Sequence, residues 1–367
     1  MLDNCDKSKV SKDLHTESIT AMNKSITHQL RLPAEWESTG AILLSWPHKD
    51  SDWAYMLNEV TQCYINIVEA ITQETNVIIV APDIEIPRKC LKHINQSLIS
   101  YYKIPTNDTW ARDFGVITTC DNDENYILND FQFNGWGLKF ASNKDNLITR
   151  TMIEQKAIKG IYNNCMGYAF EGGSIESDGK GLLLTTSECL LSPNRNGDLL
   201  KNDIEEYLTK VFGATKILWL DYGFLEGDDT DSHIDTLARI APNDTILYVG
   251  TADKNDIHFE ALNAMKQQLM QFTTLNGNHF NLIELPLPDP IYDEDGCRLP
   301  ATYANFLIMN KSVIMPIYNQ PQKDLLATQI MQIAFPNHKI ITVDCNALIK
   351  QHGSLHCVTM QLPKEIL

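Results

Sequence analysis

The chain has 367 residues, of which 43% are hydrophobic, and its formal net charge is −17. Such an apolar fraction argues against a disordered chain and is sufficient for a large buried core. The negative charge disfavours nucleic acid as a partner, because nucleic-acid binding needs a basic surface, and it suits the attraction of a cationic substrate. No apolar run approaches the roughly 18 residues of a membrane span, so we expect no membrane partner.

The N-terminal residues 1–28 are polar and lack the basic and then apolar pattern of a signal peptide. We therefore predict a flexible extension over residues 1–28, followed by a single folded domain over residues 29–367. The sequence contains 9 cysteines and no Cys-x-x-Cys pair. This pattern is typical of reduced thiols, so we predict a cytoplasmic protein.

Apolar runs of strand length alternate with helical patterns along the chain. Strands are predicted at residues 41–46, 76–81, 181–186, 216–220, 245–250, 281–285, 312–318 and 339–344. Helices are predicted at about 54–74, 199–212, 257–275 and 322–335. Gly213 stands where a helix-terminating glycine belongs.

The order strand, strand, helix, strand recurs at intervals of roughly 60 residues. Units begin near residues 171, 233 and 305, and a hairpin from 113 begins an earlier unit. Turn residues such as Asp178-Gly179 mark the hairpins. A strand beginning at Cys357 would pair with the strand at 41–46 and close a fifth unit, which removes exposed sheet edges. We therefore predict an α/β fold, a five-bladed propeller of ββαβ units around a central site; the alternative is an open α/β sheet.

In the closed ring, the first strand of each unit begins at a comparable position. These positions are Asp113, Glu171, His233, Asn305 and Cys357. Equivalent positions of a rotationally symmetric ring converge on its axis. Four of the five residues have side chains suited to acid–base or nucleophilic chemistry. The sequence therefore predicts a site on the axis.

The segment EGDDTDSHIDTLARI at 226–240 is the densest group of such residues. If 232–240 is a strand, His233 and Asp235 point to the same face, where they could bind a metal or an organic cation. Glu171 precedes two glycines, which allow a ligand to approach the backbone closely. Cys357 shares a predicted strand face with polar residues; the alternative is a buried core cysteine.

The candidate residues are one cysteine, one histidine and several carboxylates. Their chemistry distinguishes ester or amide hydrolysis from guanidine hydrolysis. Ester or amide hydrolysis builds an oxyanion, which neighbouring carboxylates would destabilise. A guanidinium is positively charged and planar, and carboxylates match its N–H groups bidentately. A thiolate can attack its central carbon, and a histidine can protonate the departing ammonia and then activate water. The residues therefore favour guanidine hydrolysis over proteolysis.

The same segments resemble the agmatine deiminases of the guanidine-modifying superfamily, whose related branch includes bacterial peptidylarginine deiminase. The matching stretches run in one order from about residue 31 to the end, and include RLPAEWESTGAILLSWP, TWARDFGV, FNGWGLKF, EGGSIESDGKGLLLTT, GDDTDSHIDTLARI and HGSLHCVTMQLP. This resemblance implies a five-bladed α/β propeller that uses neither a metal nor an organic cofactor.

The resemblance also implies the roles of the catalytic residues. Cys357 in SLHCVT would be the nucleophile, and His233 in DSHID would be the general acid and base. Glu171 in FEGGS would orient His233, while Asp113 and Asp235 would hold the guanidinium. Further substrate-binding candidates from the matching motifs are Trp110, which would pack against the alkyl chain, Trp136 and Asp229.

The implied reaction converts agmatine to N-carbamoylputrescine and ammonia through a covalent thiouronium on the cysteine, which places it in polyamine and putrescine synthesis or in acid tolerance. The nearest alternative is the same chemistry on free or peptidyl arginine. Free arginine would need a cationic partner for its carboxylate. The candidates for that partner are Arg112, Arg195, Arg239 and Arg298.

Two non-catalytic alternatives remain at this point. One is a metal-binding regulatory or storage protein, whose ligands would be His352, His356, Cys357, His233 and Asp235. The other is an inactive homologue that only binds a ligand. Ring-shaped domains with acidic surfaces often form homodimers, and the oligomeric state stays open.

Overall fold

The computed structural model describes residues 30–367, so the extension predicted over residues 1–28 lies outside the described part of the chain. The described residues form 16 strands in five separate sheets. In chain order the strands are β1 (Thr39–Ser45), β2 (Asn76–Ala81), β3 (Ile99–Lys103), β4 (Ile117–Cys120), β5 (Tyr126–Gln132), β6 (Ile161–Ala169), β7 (Ile175–Ser177), β8 (Leu182–Thr186), β9 (Lys216–Leu220), β10 (Ala238–Ala241), β11 (Thr245–Gly250), β12 (Asn281–Pro286), β13 (Leu307–Ile308), β14 (Ser312–Ile317), β15 (Lys339–Asp344) and β16 (Met360–Pro363).

The helices lie between the strands. Those longer than one turn are α1 (Leu57–Ile71), α2 (Glu85–Cys90), α3 (Ile148–Glu154), α4 (Lys201–Phe212), α5 (Phe259–Leu269) and α6 (Pro321–Ala334). Single helical turns cover Ala111–Phe114, Gly135–Leu138, Ser187–Leu190, Pro193–Asn196, Ile234–Leu237 and Asn346–Ile349. Short 3₁₀ segments cover Asp52–Met56, Gln96–Leu98, Asp145–Leu147, Gly172–Ser174 and Lys364–Ile366. No helix of residues 30–367 is long and apolar enough to cross a lipid bilayer.

Four sheets repeat one pattern, in the orders β4-β5-β6, β7-β8-β9, β10-β11-β12 and β13-β14-β15. The middle strand pairs antiparallel with the strand before it and parallel with the strand after it. A short turn suffices for the antiparallel pair, whereas the parallel pair needs a crossover, which a helix provides. Each unit is therefore ββαβ, as the sequence predicts.

The fifth sheet joins the two ends of the described chain in the order β16-β1-β2-β3. β16 pairs antiparallel with β1, with Ile42 opposite Gln361 and Leu43 opposite Met360, and β1 pairs parallel with β2. The C-terminal strand thus supplies the hairpin partner that the N-terminal strand lacks. This closure completes the fifth blade and confirms the predicted five-bladed α/β propeller.

The first strand of each blade begins later than predicted. Asp113 lies in a helical turn before β4, and His233 directly precedes the turn Ile234–Leu237 before β10. The prediction of a strand over 232–240 was wrong in its first half, since Ser232 has a positive φ of 60°, which a strand does not adopt. Cys357 likewise precedes β16, so the predicted strand face that it shares with polar residues was wrong.

A common hydrogen bond explains these turns. Close to the axis there is no neighbouring strand to bond the backbone, so the chain bonds to itself. The N–H donates to the carbonyl three residues earlier in the pairs Asp113–Trp110, Ser174–Glu171, Thr236–His233 and Thr359–His356, at 3.0 to 3.3 Å. The turns therefore satisfy the backbone where the blades converge.

Gly213 ends α4 in the left-handed conformation, with a φ of 65°, as the sequence predicts. A Cβ at this position would lie 1.6 Å from the carbonyl oxygen of Leu30. The segment that leads into the fifth blade is bound at the same helix end, because the N–H of Leu32 donates to the Phe212 carbonyl at 3.1 Å.

We predict that Gly213→Ala lowers the free energy of unfolding by at least about 2 kcal/mol, because left-handed strain of about 1 kcal/mol adds to the clash with Leu30. Denaturant unfolding followed by circular dichroism measures the change. Gly277→Ala is the matched control, since Gly277 has a φ of 81° and open space around it. Equal losses for the two variants would contradict the role assigned to the Leu30 contact.

Candidate active site

The five predicted catalytic residues meet where the blades converge. His233 places Nδ1 3.6 Å from Asp113 Oδ1 and Nε2 3.8 Å from Glu171 Oε2. The Sγ atom of Cys357 lies 3.8 Å from Asp235 Oδ2. All five side chains are buried. The structure therefore brings together residues that are up to 244 positions apart in the sequence, between 113 and 357.

Gly173 allows this close approach. Its N–H donates to Asp113 Oδ1 at 3.0 Å. A Cβ at Gly173 would lie 2.6 Å from His233 Nδ1 and 2.8 Å from Asp113 Oδ1. A side chain at this position would therefore push the histidine and the carboxylate apart. The glycine makes room for the site's own side chains, whereas the sequence suggested room for a ligand.

Asp113 is fixed by the tryptophan of the next loop, since Trp136 Nε1 donates to Asp113 Oδ2 at 2.9 Å. Burial raises the pKa of Asp113 to about 6, with Asp235 and Glu171 adding to the rise and His233 opposing it. Trp136 lies in a loop whose residues from 135 to 138 all have positive φ. Strained loops of this kind occur where a side chain must be held at a site.

Glu171 is held by an arginine. Arg195 Nε lies 2.8 and 3.0 Å from the two carboxylate oxygens of Glu171, and both side chains are completely buried. Burial by itself would raise the pKa of Glu171, but the nearby imidazole of His233 and the charge of Arg195 lower it. Glu171 is therefore an anion that faces His233 from the side opposite Asp113.

His233 lies between these two carboxylates. Burial by itself would lower its pKa, but the charge of Asp113 and the nearby carboxylate of Glu171 raise it well above the ordinary value. The imidazole is therefore protonated at neutral pH, and it can donate a proton to a leaving group. The buried thiol of Cys189 is a further neighbour of His233, and no motif in the sequence indicates this contact.

Cys357 faces two oxygen acceptors. Besides Asp235, its Sγ atom lies 3.4 Å from Asn305 Oδ1, which also accepts from the N–H of His356 at 2.9 Å. Burial and the charges of Asp235 and Asp113 raise the pKa of the Cys357 thiol well above its usual value. The free protein therefore holds a neutral thiol, which a cation entering beside the two aspartates would activate.

An opening of about 360 Å³ leads to Cys357. It is lined by Asp52, Asp108, Trp110, Asp113, Trp136, Phe140, Asp229, Thr230, Gln351, His352, Gly353 and Cys357. Trp110 and Trp136 meet edge to face with ring centroids 6.4 Å apart. A Cβ at Gly353 would lie 2.1 Å from the Trp110 ring, so the ring packs directly on this glycine. Four of the five predicted substrate-binding residues thus line one opening, and the fifth, Asp235, is not in the lining but lies 3.8 Å from Cys357 Sγ.

The outer part of this opening is acidic. Asp52, Asp108 and Asp229 line it in addition to Asp113 at the base. Burial raises the pKa of Asp108 to about 7, with the charge of Asp52 adding to the rise. Burial likewise raises the pKa of Asp229. A cation in the opening would therefore stabilise the ionised forms of Asp108 and Asp229.

The four arginines that the sequence offered for a substrate carboxylate are not among the residues that line this opening. Each instead has a carboxylate partner within the described chain. The pairs are Arg112–Glu35, Arg195–Glu171, Arg239–Glu176 and Arg298–Asp256. Their positive charges stabilise buried carboxylates rather than a bound acid.

Within residues 30–367, two groups of side chains have the spacing of metal ligands, namely Glu171, Cys189 and His233, and Glu35, Glu176 and His356. An arginine already bonds a carboxylate in both groups, Arg195 in the first and Arg239 in the second. The charge that a metal would supply is therefore already present. His352, a proposed ligand of the metal-binding alternative, instead has Nδ1 2.7 Å from the Gly227 carbonyl oxygen.

The propeller and its axial cysteine, histidine and carboxylates are the features of the guanidine-modifying hydrolases. Residues 31–363 match the family model of the Porphyromonas-type peptidyl-arginine deiminases, and the chain belongs to this family. The resemblance that the sequence motifs indicate is thereby confirmed.

Solved structures and curated relatives agree with this membership. The agmatine deiminase of C. jejuni, solved as a cysteine-to-serine variant with substrate bound, is 38% identical with a TM-score of 0.85, over 92% of this chain and 97% of that one. A structure from Porphyromonas gingivalis with the provisional name arginine deiminase is 43% identical with a TM-score of 0.88, over 92% and 99% of the two chains. A Marinomonas protein provisionally named agmatine deiminase is 33% identical, over 91% and 95%.

The raised pKa of Cys357 predicts slow alkylation by iodoacetamide at neutral pH and a rate that increases with pH. Asp235→Asn removes a negative charge 3.8 Å from Sγ, which lowers the thiol pKa and should raise the neutral-pH rate about tenfold. Mass spectrometry of the Cys357 peptide measures the rate, with the exposed Cys297 as internal reference. An unchanged or slower reaction at Cys357 in the variant would contradict the electrostatic account.

Proposed function

We propose that this protein hydrolyses agmatine to N-carbamoylputrescine and ammonia, with Cys357 as the nucleophile. The observation that carries the proposal is the composition of the opening. The lining combines the Cys357 thiol and Asp113 with tryptophans and further aspartates, and none of the lining residues is an arginine or lysine. Directly beside this lining, His233 Nδ1 lies 3.6 Å from Asp113 Oδ1 and Asp235 Oδ2 lies 3.8 Å from Cys357 Sγ.

The base of the opening suits a guanidinium. Asp235 Oδ1 has no hydrogen-bond partner among the described residues, and Asp113 is a second carboxylate that lines the opening together with Cys357. Two carboxylates can bind a planar guanidinium through its N–H groups and hold its carbon in place for attack. The positive charge of the substrate also lowers the pKa of the Cys357 thiol, so the nucleophile forms when the substrate is present.

The reaction then proceeds in two steps. As the guanidinium binds, the Cys357 thiol loses its proton to solvent. The thiolate attacks the guanidinium carbon, His233 donates its proton to the departing amine, and the C–N bond breaks to release ammonia. This leaves a positively charged thiouronium, held by Asp113 and Asp235. His233, now neutral, takes a proton from water, and the water oxygen attacks the same carbon. The C–S bond then breaks with its electron pair returning to the Cys357 sulfur, which takes up the hydroxyl proton of the intermediate, and the neutral ureido product is released.

The outer part of the opening favours the aminobutyl chain of agmatine over the α-carboxylate of arginine. Trp110 and Trp136 provide an apolar lining for a methylene chain, and the carboxylates of Asp52, Asp108 and Asp229 suit a terminal ammonium. A substrate carboxylate would lie among these aspartates without an arginine or lysine of the lining to pair with it. Such a placement costs roughly 3 kcal/mol or more.

We also propose that the enzyme acts in the cytoplasm. The eight cysteines within residues 30–367 are all free thiols, which suits a reducing compartment. The names of the relatives include both agmatine and arginine as substrates, so the substrate assignment depends on the charges of the opening.

We predict that purified protein releases ammonia and ureido product from agmatine, with kcat/KM at least about a hundredfold higher than for arginine because of the unpaired carboxylate. Colorimetric ureido detection and ammonia release measure both substrates. Cys357→Ala should abolish the product. A higher kcat/KM for arginine, or for a peptide with internal arginine, would support the deimination reaction but contradict agmatine as its substrate. Activity that persists in Cys357→Ala would reject the nucleophile.

A further inference from the structure

A second pocket shares no lining residue with the opening at Cys357. Residues of β4, β7 and β16 line it, and these strands follow directly after the turns that carry the site residues. The segment of residues 32–39 that leads into β1 covers this pocket. Glu35 belongs to that segment, so it is separated from the opening at Cys357 by the site itself.

His356 connects Glu35 to the active site. Its Nδ1 lies 2.7 Å from Asp235 Oδ2, and its Nε2 lies 2.7 Å from Glu35 Oε1. Carboxylates only accept hydrogen bonds, so a ring that bonds to both must carry a proton on each nitrogen. Arg239 Nη2 also lies 3.1 Å from Nε2, but a guanidinium cannot accept, so the Nε2 proton is donated to Glu35.

Glu35 is held in its ionised form. Arg239 Nη2 bonds Oε2 at 2.5 Å, and Arg112 Nη1 lies 3.1 Å from Oε1. Burial by itself would raise the pKa of Glu35, but the charges of His356, Arg239 and Arg112 lower it well below its usual range. A neutral Glu35 that could donate to His356 is therefore excluded at neutral pH.

The same contact governs Asp235, which is completely buried. Burial would raise its pKa, but the hydrogen bond and charge of His356, with the charges of His233 and Arg239, lower it. One oxygen of Asp235 bonds His356 and the other has no hydrogen-bond partner among the described residues. His356 therefore fixes both the charge and the orientation of a carboxylate with one oxygen left for a guanidinium.

We infer that Glu35 is a positioning residue for substrate binding, which acts through His356 on Asp235 although Glu35 itself does not reach the substrate. The inference rests on the proposed function for the identity of that substrate. Glu35 holds the Nε2 proton of His356, and this keeps the ring in the orientation in which Nδ1–H points at Asp235. Without Glu35 the Nε2–H of the ring loses the acceptor that fixes the orientation of the imidazole.

The charged and titratable groups around this chain of contacts come from several blades. Asp235 faces His233, Arg239, His356, Asp113 and Cys357. Glu35 and His356 face Arg112, Arg239 and Glu176. Removing the charge of Glu35 leaves the other groups in place but weakens the hold on the His356 ring. The hydrogen bond from His356 to Asp235 is weakened in turn, so the pKa of Asp235 rises toward the value that burial favours.

The test compares Glu35→Gln with Glu37→Gln. Glu37 belongs to the same segment and pairs with Arg31, but the structure gives it no contact with His356. For Glu35→Gln we expect the agmatine KM to rise about tenfold while kcat changes by less than about threefold. Because Asp235 then ionises only at higher pH, the acid limb of the kcat/KM profile should shift to higher pH. Glu37→Gln should behave as wild type.

A folded Glu35→Gln protein with unchanged KM and an unchanged acid limb would overturn the inference, as would equal effects in Glu37→Gln. Glu35→Asp is the second variant, because it keeps the charge for Arg112 and Arg239 and withdraws the oxygen from His356. We expect a smaller rise in KM for it, about threefold, and an unchanged KM would also count against the role of Glu35. Thermal melting establishes that each variant is folded.

Calorimetry in the Cys357→Ala background separates this inference from the proposed function, since it needs no turnover. Agmatine should bind Cys357→Ala, and bind about tenfold more weakly when Glu35→Gln is added. Equal affinity of the single and double variants would contradict the role of Glu35 alone. Absence of agmatine binding to Cys357→Ala would contradict the proposed function.

Discussion

The structure depends on the burial of negative charge at the propeller axis. An ionised carboxylate in a protein interior is strongly destabilising unless a cation and hydrogen bonds accompany it. Arg195 provides the cation for Glu171, and His356 provides it for Asp235. Asp113 has only His233, and the pKa of about 6 reflects this deficit. The site is thus short of one positive charge beside Cys357. A guanidinium supplies this charge, and its planar N–H groups match the carboxylates of the site.

Much of the fold was predictable because strand-length apolar runs and turn residues are local signals. The predicted strands at 76–81, 216–220, 245–250 and 339–344 have the observed boundaries. β6 was missed because its sequence, IYNNCMGYA, is half polar and largely exposed. The starts of the inner strands were misplaced for another reason. There the backbone bonds to itself because no neighbouring strand is available, and that is a property of the assembled ring.

The site residues with nucleophilic or acid–base side chains were predictable from the sequence, but the residues that hold them in place were not. Catalytic residue types at equivalent positions of the units identified Asp113, Glu171, His233 and Cys357, and the structure brings them together. The arginines were assigned to a substrate carboxylate in one alternative, because the sequence does not show that each has a buried carboxylate partner far along the chain. The contacts of His356 connect Glu35 to Asp235, two positions that are 200 residues apart, and no local sequence pattern indicates such a connection.

The most direct measurement is the intact mass of the protein after rapid acid quenching during turnover of agmatine. The charge deficit beside Cys357 predicts a covalent intermediate whose mass exceeds that of the protein by agmatine less ammonia, and peptide mapping should place it on Cys357. The adduct should be absent from Cys357→Ala. Turnover of agmatine without any adduct on Cys357, or an adduct on another of the 9 cysteines, would contradict the account.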